Sequence, residues 1–362
     1  MATPGTVLHS ESIATSIANA TAWRIRYASV DESGREQEST GLVIAPTREG
    51  VDRPVLTWCH GTTGLGDASC PSAQHDPVRE LTTYFTENAS AQIDYGVPGL
   101  QAMIDGGWVV CATDYQGLGT PGMHQYMVSR TQARDAINIV HAARTMNIGA
   151  GTTVGAMGWS QGGGAAAAIA ELDAVDYGDL TLIGTVPMSP GVTSIAIQHP
   201  MGPSAALSDP TIAPDSHLVM LLAGCAAGFP DLSLSDVFTP LGIRIVESAW
   251  NIQPVHHLND TLGRLFHLEG PIVTVNKDAM PAWLAAFTQA SAARVKPVCP
   301  VLMCQDSFGA GTVVPVVWQQ AYAEAITALG GTITVRDYPK DDHFSLPQSC
   351  IGDALAWMSA LL

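Results

Sequence analysis

Charged residues are the scarcest class in this sequence. Its 362 residues include 16 Lys+Arg and 33 Asp+Glu, so only 14% are charged and the formal net charge is −17. An ordinary soluble domain carries about 25%. So sparse and acidic a surface offers no basic face to a phosphate backbone, which excludes nucleic acid as a partner. Long apolar runs are also missing. The longest, Leu218–Phe229, is a dozen residues with two glycines, where a transmembrane segment needs about 20. Met1–Ser10 lacks the cationic and apolar regions of a secretory leader. The chain is therefore either cytoplasmic or shorn of its leader. The 7 cysteines form no C-x-x-C pair and no zinc spacing, and an odd count leaves at least one unpaired. Cys59 and Cys111 fall in apolar runs and read as inert core residues. One or two disulfides among Cys70, Cys225, Cys299 and Cys350 would suit their loop-like settings. No internal repeat is present, and no low-complexity tract beyond Ala165–Ala168.

Apolar residues are plentiful, at 46%, enough for a large core. The segment begins as a meander, with β-prone runs Trp23–Val30 and Thr40–Ala45 around the turn at Asp31–Gly34. Short apolar runs then alternate with helical stretches. The runs are Val55–Cys59, Val109–Thr113, Thr153–Met157, Leu182–Met188, Val301–Cys304 and Thr332–Val335. Ala133, Ala136, Ile137, Val140 and Ala143 share one helical face. Trp318, Tyr322, Ala325, Ile326 and Leu329 share another, stopped by Gly330-Gly331. A last helix places Ile351, Leu355, Met358 and Leu362 together. The alternation predicts an α/β fold with a largely parallel twisted sheet, covered by helices on both faces. From Gly191 to about Lys277 the rhythm is lost. The expected organisation is a core made of residues 1–190 and 281–362, with an inserted lid or cap at 191–280.

The chemistry centres on Gly158-Trp159-Ser160-Gln161-Gly162. This G-x-S-x-G follows a strand-like run and opens a helix. A serine held on a strained strand-to-helix turn needs tiny neighbours two residues away on each side. The helix N-terminus behind it offers free N–H groups where negative charge develops. Ser160 is the expected nucleophile. A base must sit at the same sheet edge, and His343, in the loop after the last strand, is the candidate. His60, His256 and His257 fit less well, the last two as surface residues of the insertion. The supporting acid is expected after Val301–Cys304, where Asp306 is the only carboxylate before Glu324. The chain order Ser160, Asp306, His343 suits such a triad. Asp341 and Asp342 lie too close along the chain to reach back to His343, and Asp114 and Asp278 are weaker alternatives. His60-Gly61-Thr62-Thr63-Gly64 follows an early strand and would supply one oxyanion donor, Thr62 N–H or else Thr63 N–H. Gln161 N–H would supply the other.

The segments HGTTG, DYQGLGTPGMHQY (Asp114–Tyr126), GWSQGG and DHF resemble the secretory lipase family of α/β-hydrolases across nearly the whole chain. That resemblance implies an eight-stranded core with a lid after the sixth strand, secretion with a trimmed signal peptide, hydrolysis of carboxylic esters, and no cofactor or metal. Two departures stand out. Many relatives read Q-G-x-x-D-x-V-V-P at the acid loop, whereas here Gly311 precedes Thr312-Val313-Val314-Pro315 and the carboxylate has moved to Asp306. A threonine, Thr62, also stands where a relative carries an acidic residue. The expected partner is an uncharged, apolar small-molecule or lipid ester. An acyltransferase, a serine peptidase or a non-catalytic binding protein on the same fold are the alternatives.

Overall fold

The computed structural model describes residues 2–84, 96–198, 202–311 and 313–362. Thr312 of the acid loop and residues 199–201 of the insertion lie outside that set. Among the described residues nine strands form one sheet: β1 (Val7–Ile13), β2 (Ala20–Val30), β3 (Glu36–Pro46), β4 (Arg53–Cys59), β5 (Val109–Thr113), β6 (Ala150–Trp159), β7 (Thr181–Met188), β8 (Val301–Asp306) and β9 (Ile333–Tyr338). Their order is β1-β2-β3-β5-β4-β6-β7-β8-β9. The pairs β1–β2, β2–β3 and β3–β5 are antiparallel. From β5 to β9 every neighbouring pair is parallel. This is the twisted, mostly parallel sheet of an α/β-hydrolase. Without the added edge strand β1, the long insertion follows the sixth of the eight remaining strands.

The parallel strands read as unbroken apolar runs because both their faces are covered. Every residue of β5 and β8 is buried. On one face, the helix Ser129–Arg144 contributes Ala133, Ala136, Ile137 and Val140 to a core shared with Val55, Val109 and Val154. On the other, the last helix, Leu346–Ser359, packs Ile351, Ala354 and Met358 against Leu56, Met157 and Leu302. Leu362 lies beyond that helix and is exposed. The expected face therefore ends one turn early, because helical hydrogen bonding stops before the chain does.

Between β7 and β8 the described residues hold helices and no strand. The helix Ser216–Gly228 is buried on nearly every side. Beyond Ser216-His217 its sequence is all apolar and leaves no periodic stripe, which is why the pattern could not distinguish pocket lining from buried core. It does both. It joins Phe238, Val246, Leu262, Trp283 and Phe287 in a third core, and Leu218 and Leu221 also face a cavity. His256 and His257 are exposed on the helix Val255–Glu269.

All seven cysteines are free and buried. The disulfides anticipated for Cys70, Cys225, Cys299 and Cys350 are not formed. These thiols belong to separate surroundings: Cys70 faces Thr40, Ser72 and Asp114, while Cys225 belongs to the core of the insertion. The loop-like sequence around them hid their burial.

Candidate active site

β6 ends at Trp159, and the helix Gln161–Ile169 begins two residues later. Ser160, between them, has φ 59 and ψ −119, a left-handed conformation that side chains other than glycine adopt only under constraint. The constraint is steric and visible. A Cβ on Gly162 would lie 2.0 Å from the Cys59 carbonyl oxygen and 2.4 Å from that of His60. A Cβ on Gly158 would lie 2.1 Å from the Gly162 oxygen. Only glycine lets the helix press this closely onto β4 and β6. The backbone of Ser160 is clamped on both sides: its N–H donates to Met188 O at 3.0 Å, and its carbonyl accepts from Gly191 N at 2.9 Å.

His343 is buried in the loop between β9 and the last helix. Trp159 fixes that loop. Its indole N–H donates to the His343 carbonyl at 2.9 Å, and the two rings stand 5.0 Å apart. The imidazole Nδ1 meets the hydroxyl of Ser189 at 2.9 Å. Burial pushes the His343 pKa down to about 3, and nearby His217 adds to the effect while Asp342 opposes it. A ring so shifted is neutral near pH 7, the form of imidazole that can accept a proton.

Asp306 closes β8 and is fully buried. Its Oδ1 accepts from Gln319 Nε2 at 2.9 Å. Its Oδ2 is buried without a hydrogen bond among the described residues. Burial raises its pKa, and the side chains of Ser189 and Gln319 counter that rise. Between β8 and the His343 loop stands Ser189, whose hydroxyl lies on His343 Nδ1. The other acids are engaged elsewhere. Asp342 accepts from Phe344 N and Ser345 N, and Asp341 from the Ser349 hydroxyl. Asp114 holds Ser72 N, and Asp278 is exposed.

Thr62 and Thr63 are buried beside the elbow. The Thr62 hydroxyl lies 2.9 Å from the Tyr126 hydroxyl. The Thr63 carbonyl accepts from Val255 N at 2.9 Å, tying this loop to the insertion. Gln161 opens its helix, so its N–H has no intrahelical acceptor. Its side-chain amide donates to His124 Nε2 at 2.8 Å. On the opposite side of that ring, Nδ1–H donates to Gln116 O at 2.8 Å. Burial pushes the His124 pKa to about 3, so the ring stays neutral and can accept that bond. His60 turns its ring nitrogens to the carbonyls of Gly61 and Asp114. That leaves it a scaffold residue.

Ser160 and Gln161 line a cavity of about 310 Å³. Its walls are mainly apolar, with Met127, Leu218, Leu221, Val314 and Trp318 among them. His217, from the insertion helix, also faces it and lies 3.5 Å from Asp215. Neither His217 nor Ser189 carries a sequence signal. Each sits outside any motif and is brought in only by tertiary packing. Trp159 occupies the free x of the G-x-S-x-G pattern, so the motif gives no hint of its role.

Comparison with known proteins fits this geometry. The secretory lipase family matches residues 85–197, a stretch that includes the elbow but neither Asp306 nor His343. No functionally curated protein matches the sequence. In structure, the chain is similar to LipA, a rice cell wall degrading esterase from Xanthomonas oryzae. The TM-score is 0.71 at 19% identity, covering 99% of this chain and 97% of that one. It is also similar to Candida antarctica lipase A in its closed state, with a TM-score of 0.72 at 14% identity, covering 99% of this chain and 82% of that one. At such identities the likeness speaks for the fold. The family match over the elbow and the shared sheet architecture make the chain similar to the secretory lipases, with the α/β-hydrolase fold.

Proposed function

We propose that the chain is a secreted serine hydrolase of carboxylic esters, with Ser160 as nucleophile, His343 as base and Asp306 as the supporting carboxylate. The observation that carries this reading is the elbow itself: a serine in left-handed backbone, enforced by Gly158 and Gly162, at the wall of an apolar cavity. His343 takes the Ser160 proton, and the serine oxygen attacks the ester carbonyl. The N–H groups of Gln161 and Thr62 hold the oxyanion. His343 returns the proton to the leaving alcohol, and water then attacks the acyl-enzyme by the same route. Removing one oxyanion donor would cost about 3 kcal/mol, roughly 10²-fold in rate.

The lining of the cavity favours uncharged, apolar esters, and no cofactor enters the mechanism. The insertion is read as a cover over the site. Trp283 and Phe287 of the helix Met280–Ala290 share its core.

Ser160→Ala is the test. It should abolish both hydrolysis of p-nitrophenyl esters and labelling by a fluorophosphonate. Undiminished turnover in that variant would sink the assignment. Adding competing alcohols to the same assay separates hydrolysis from acyl transfer, and an amide panel separates it from peptidase activity.

A further inference from the structure

Ser189 has features that its place at the end of a strand does not account for. It follows β7 directly, is fully buried, and has φ 42. A buried serine in left-handed backbone costs free energy on the order of 1–3 kcal/mol unless its surroundings over-determine it. Here they do. Its N–H donates to Cys304 O at 2.9 Å, locking it against β8 two residues before Asp306. Its neighbours Met188 and Gly191 are the residues that clamp the Ser160 backbone. Its hydroxyl stands 2.9 Å from His343 Nδ1. One short segment therefore holds the nucleophile's backbone, the imidazole and the end of the acid strand.

We infer that Ser189 is a positioning residue that couples Asp306 to His343 through its hydroxyl, so that the carboxylate acts on the imidazole indirectly. A hydroxyl can accept and donate at once. In this coupling His343 Nδ1–H donates to Ser189 Oγ, and the Ser189 O–H would close on Asp306 Oδ2, which is buried and forms no hydrogen bond among the described residues; the Ser189 side chain already favours the ionised form of Asp306. When His343 Nε2 receives the Ser160 proton, Nδ1 keeps its own, and no proton passes to Asp306. The hydroxyl fixes the tautomer with Nε2 free to accept, and transmits the negative charge of the carboxylate to the imidazolium. This arrangement also accounts for the strain. An extended residue at 189 would carry its side chain away from the histidine.

The inference rests on Ser160 and His343 being the nucleophile and base, so its test starts from fluorophosphonate labelling of the wild type. Two variants remove the hydroxyl. Ser189→Gly also relieves the backbone, which guards against misfolding, and Ser189→Ala keeps the Cβ. Both should lower kcat by about 10²-fold with little change in KM, and move the acid limb of the pH profile to lower pH, because the imidazolium loses its counter-charge. The decisive readout is a double-mutant cycle. Asp306→Asn should cost far less in the Ser189→Gly background than in the wild type. Equal costs in the two backgrounds, or unchanged kcat and pH profile in both variants, would overturn the coupling while leaving the catalytic reading intact. A wild-type chain that does not label would overturn both.

Discussion

On either side of β7, β6 leads into Ser160 and β8 ends at Asp306, the proposed nucleophile and acid, and the two ends are built differently. β6 ends in a turn enforced by contact. Gly158 and Gly162 leave no room for a Cβ, and the Ser160 backbone is clamped at both its N–H and its carbonyl. β8 ends in a carboxylate held by polar reach. Gln319 grips one oxygen of Asp306, and the loop beyond it is largely exposed or half-buried. A nucleophile must meet the substrate at one distance and angle, and steric exclusion supplies that. A supporting carboxylate needs only to present charge and an acceptor to the ring. Its position along the loop could therefore drift, which is how the proposed role of Asp306 fits a loop that departs from the aspartate position the resemblance implies.

Substitutions at the two ends should separate them. The largest effect is expected at the elbow. Gly162→Ala forces a carbon into the Cys59 carbonyl, and should abolish fluorophosphonate labelling and destabilise the fold by ~3 kcal/mol; a stable, fully reactive variant would show that the turn has slack. Next comes Asp306→Asn, which should lower kcat by about 10³-fold or more with the fold intact. Near-normal turnover would move the acid role elsewhere.

The third effect concerns pH. His343 is held neutral down to about 3, so the acid limb of kcat/KM should lie well below the ordinary histidine value of about 6.5; a limb at 6.5 would contradict the burial argument. The same shift bears on stability. Between pH 6.5 and 3 the unfolded chain takes up protons that folded His343 and His124 refuse. Their contribution is thus complete above that window and is lost as the pH falls through it. Urea unfolding at pH 7 and pH 4 should show a smaller acid loss for His343→Gln than for the wild type. The smallest effect is expected for Tyr126→Phe, which deletes one hydroxyl contact to Thr62 and should cost about 1 kcal/mol, several-fold in rate. A larger loss would give the Thr62 side chain a part in the oxyanion site.

The contrast between the two ends also explains what could be read from sequence. Steric exclusion leaves glycines at fixed spacing, so the elbow was visible as G-x-S-x-G between a strand and a helix. The apolar runs of β4 to β8 were equally legible, because burial on both faces removes polar residues. β1 was not. Val7–Ile13 is an edge strand with no fully buried residue, and its sequence shows no alternation. Ser189 was invisible for a different reason. One serine beyond a strand resembles any other until packing of β7 against β8 brings it under His343.

The stitching of the HGTTG loop to the insertion has a mechanical consequence. Val255 N donates to Thr63 O, and Asn251 receives the N–H groups of Asp67 and Ala68. The helix that follows is therefore pinned part-way along the inserted chain, on the loop next to the nucleophile. A swing from the distant ends of the insertion would have to break those hydrogen bonds. If the insertion opens as the proposed cover, an outward rotation would turn about that pin and strain the loop beneath it, so uncovering Ser160 would disturb the loop proposed to hold the oxyanion.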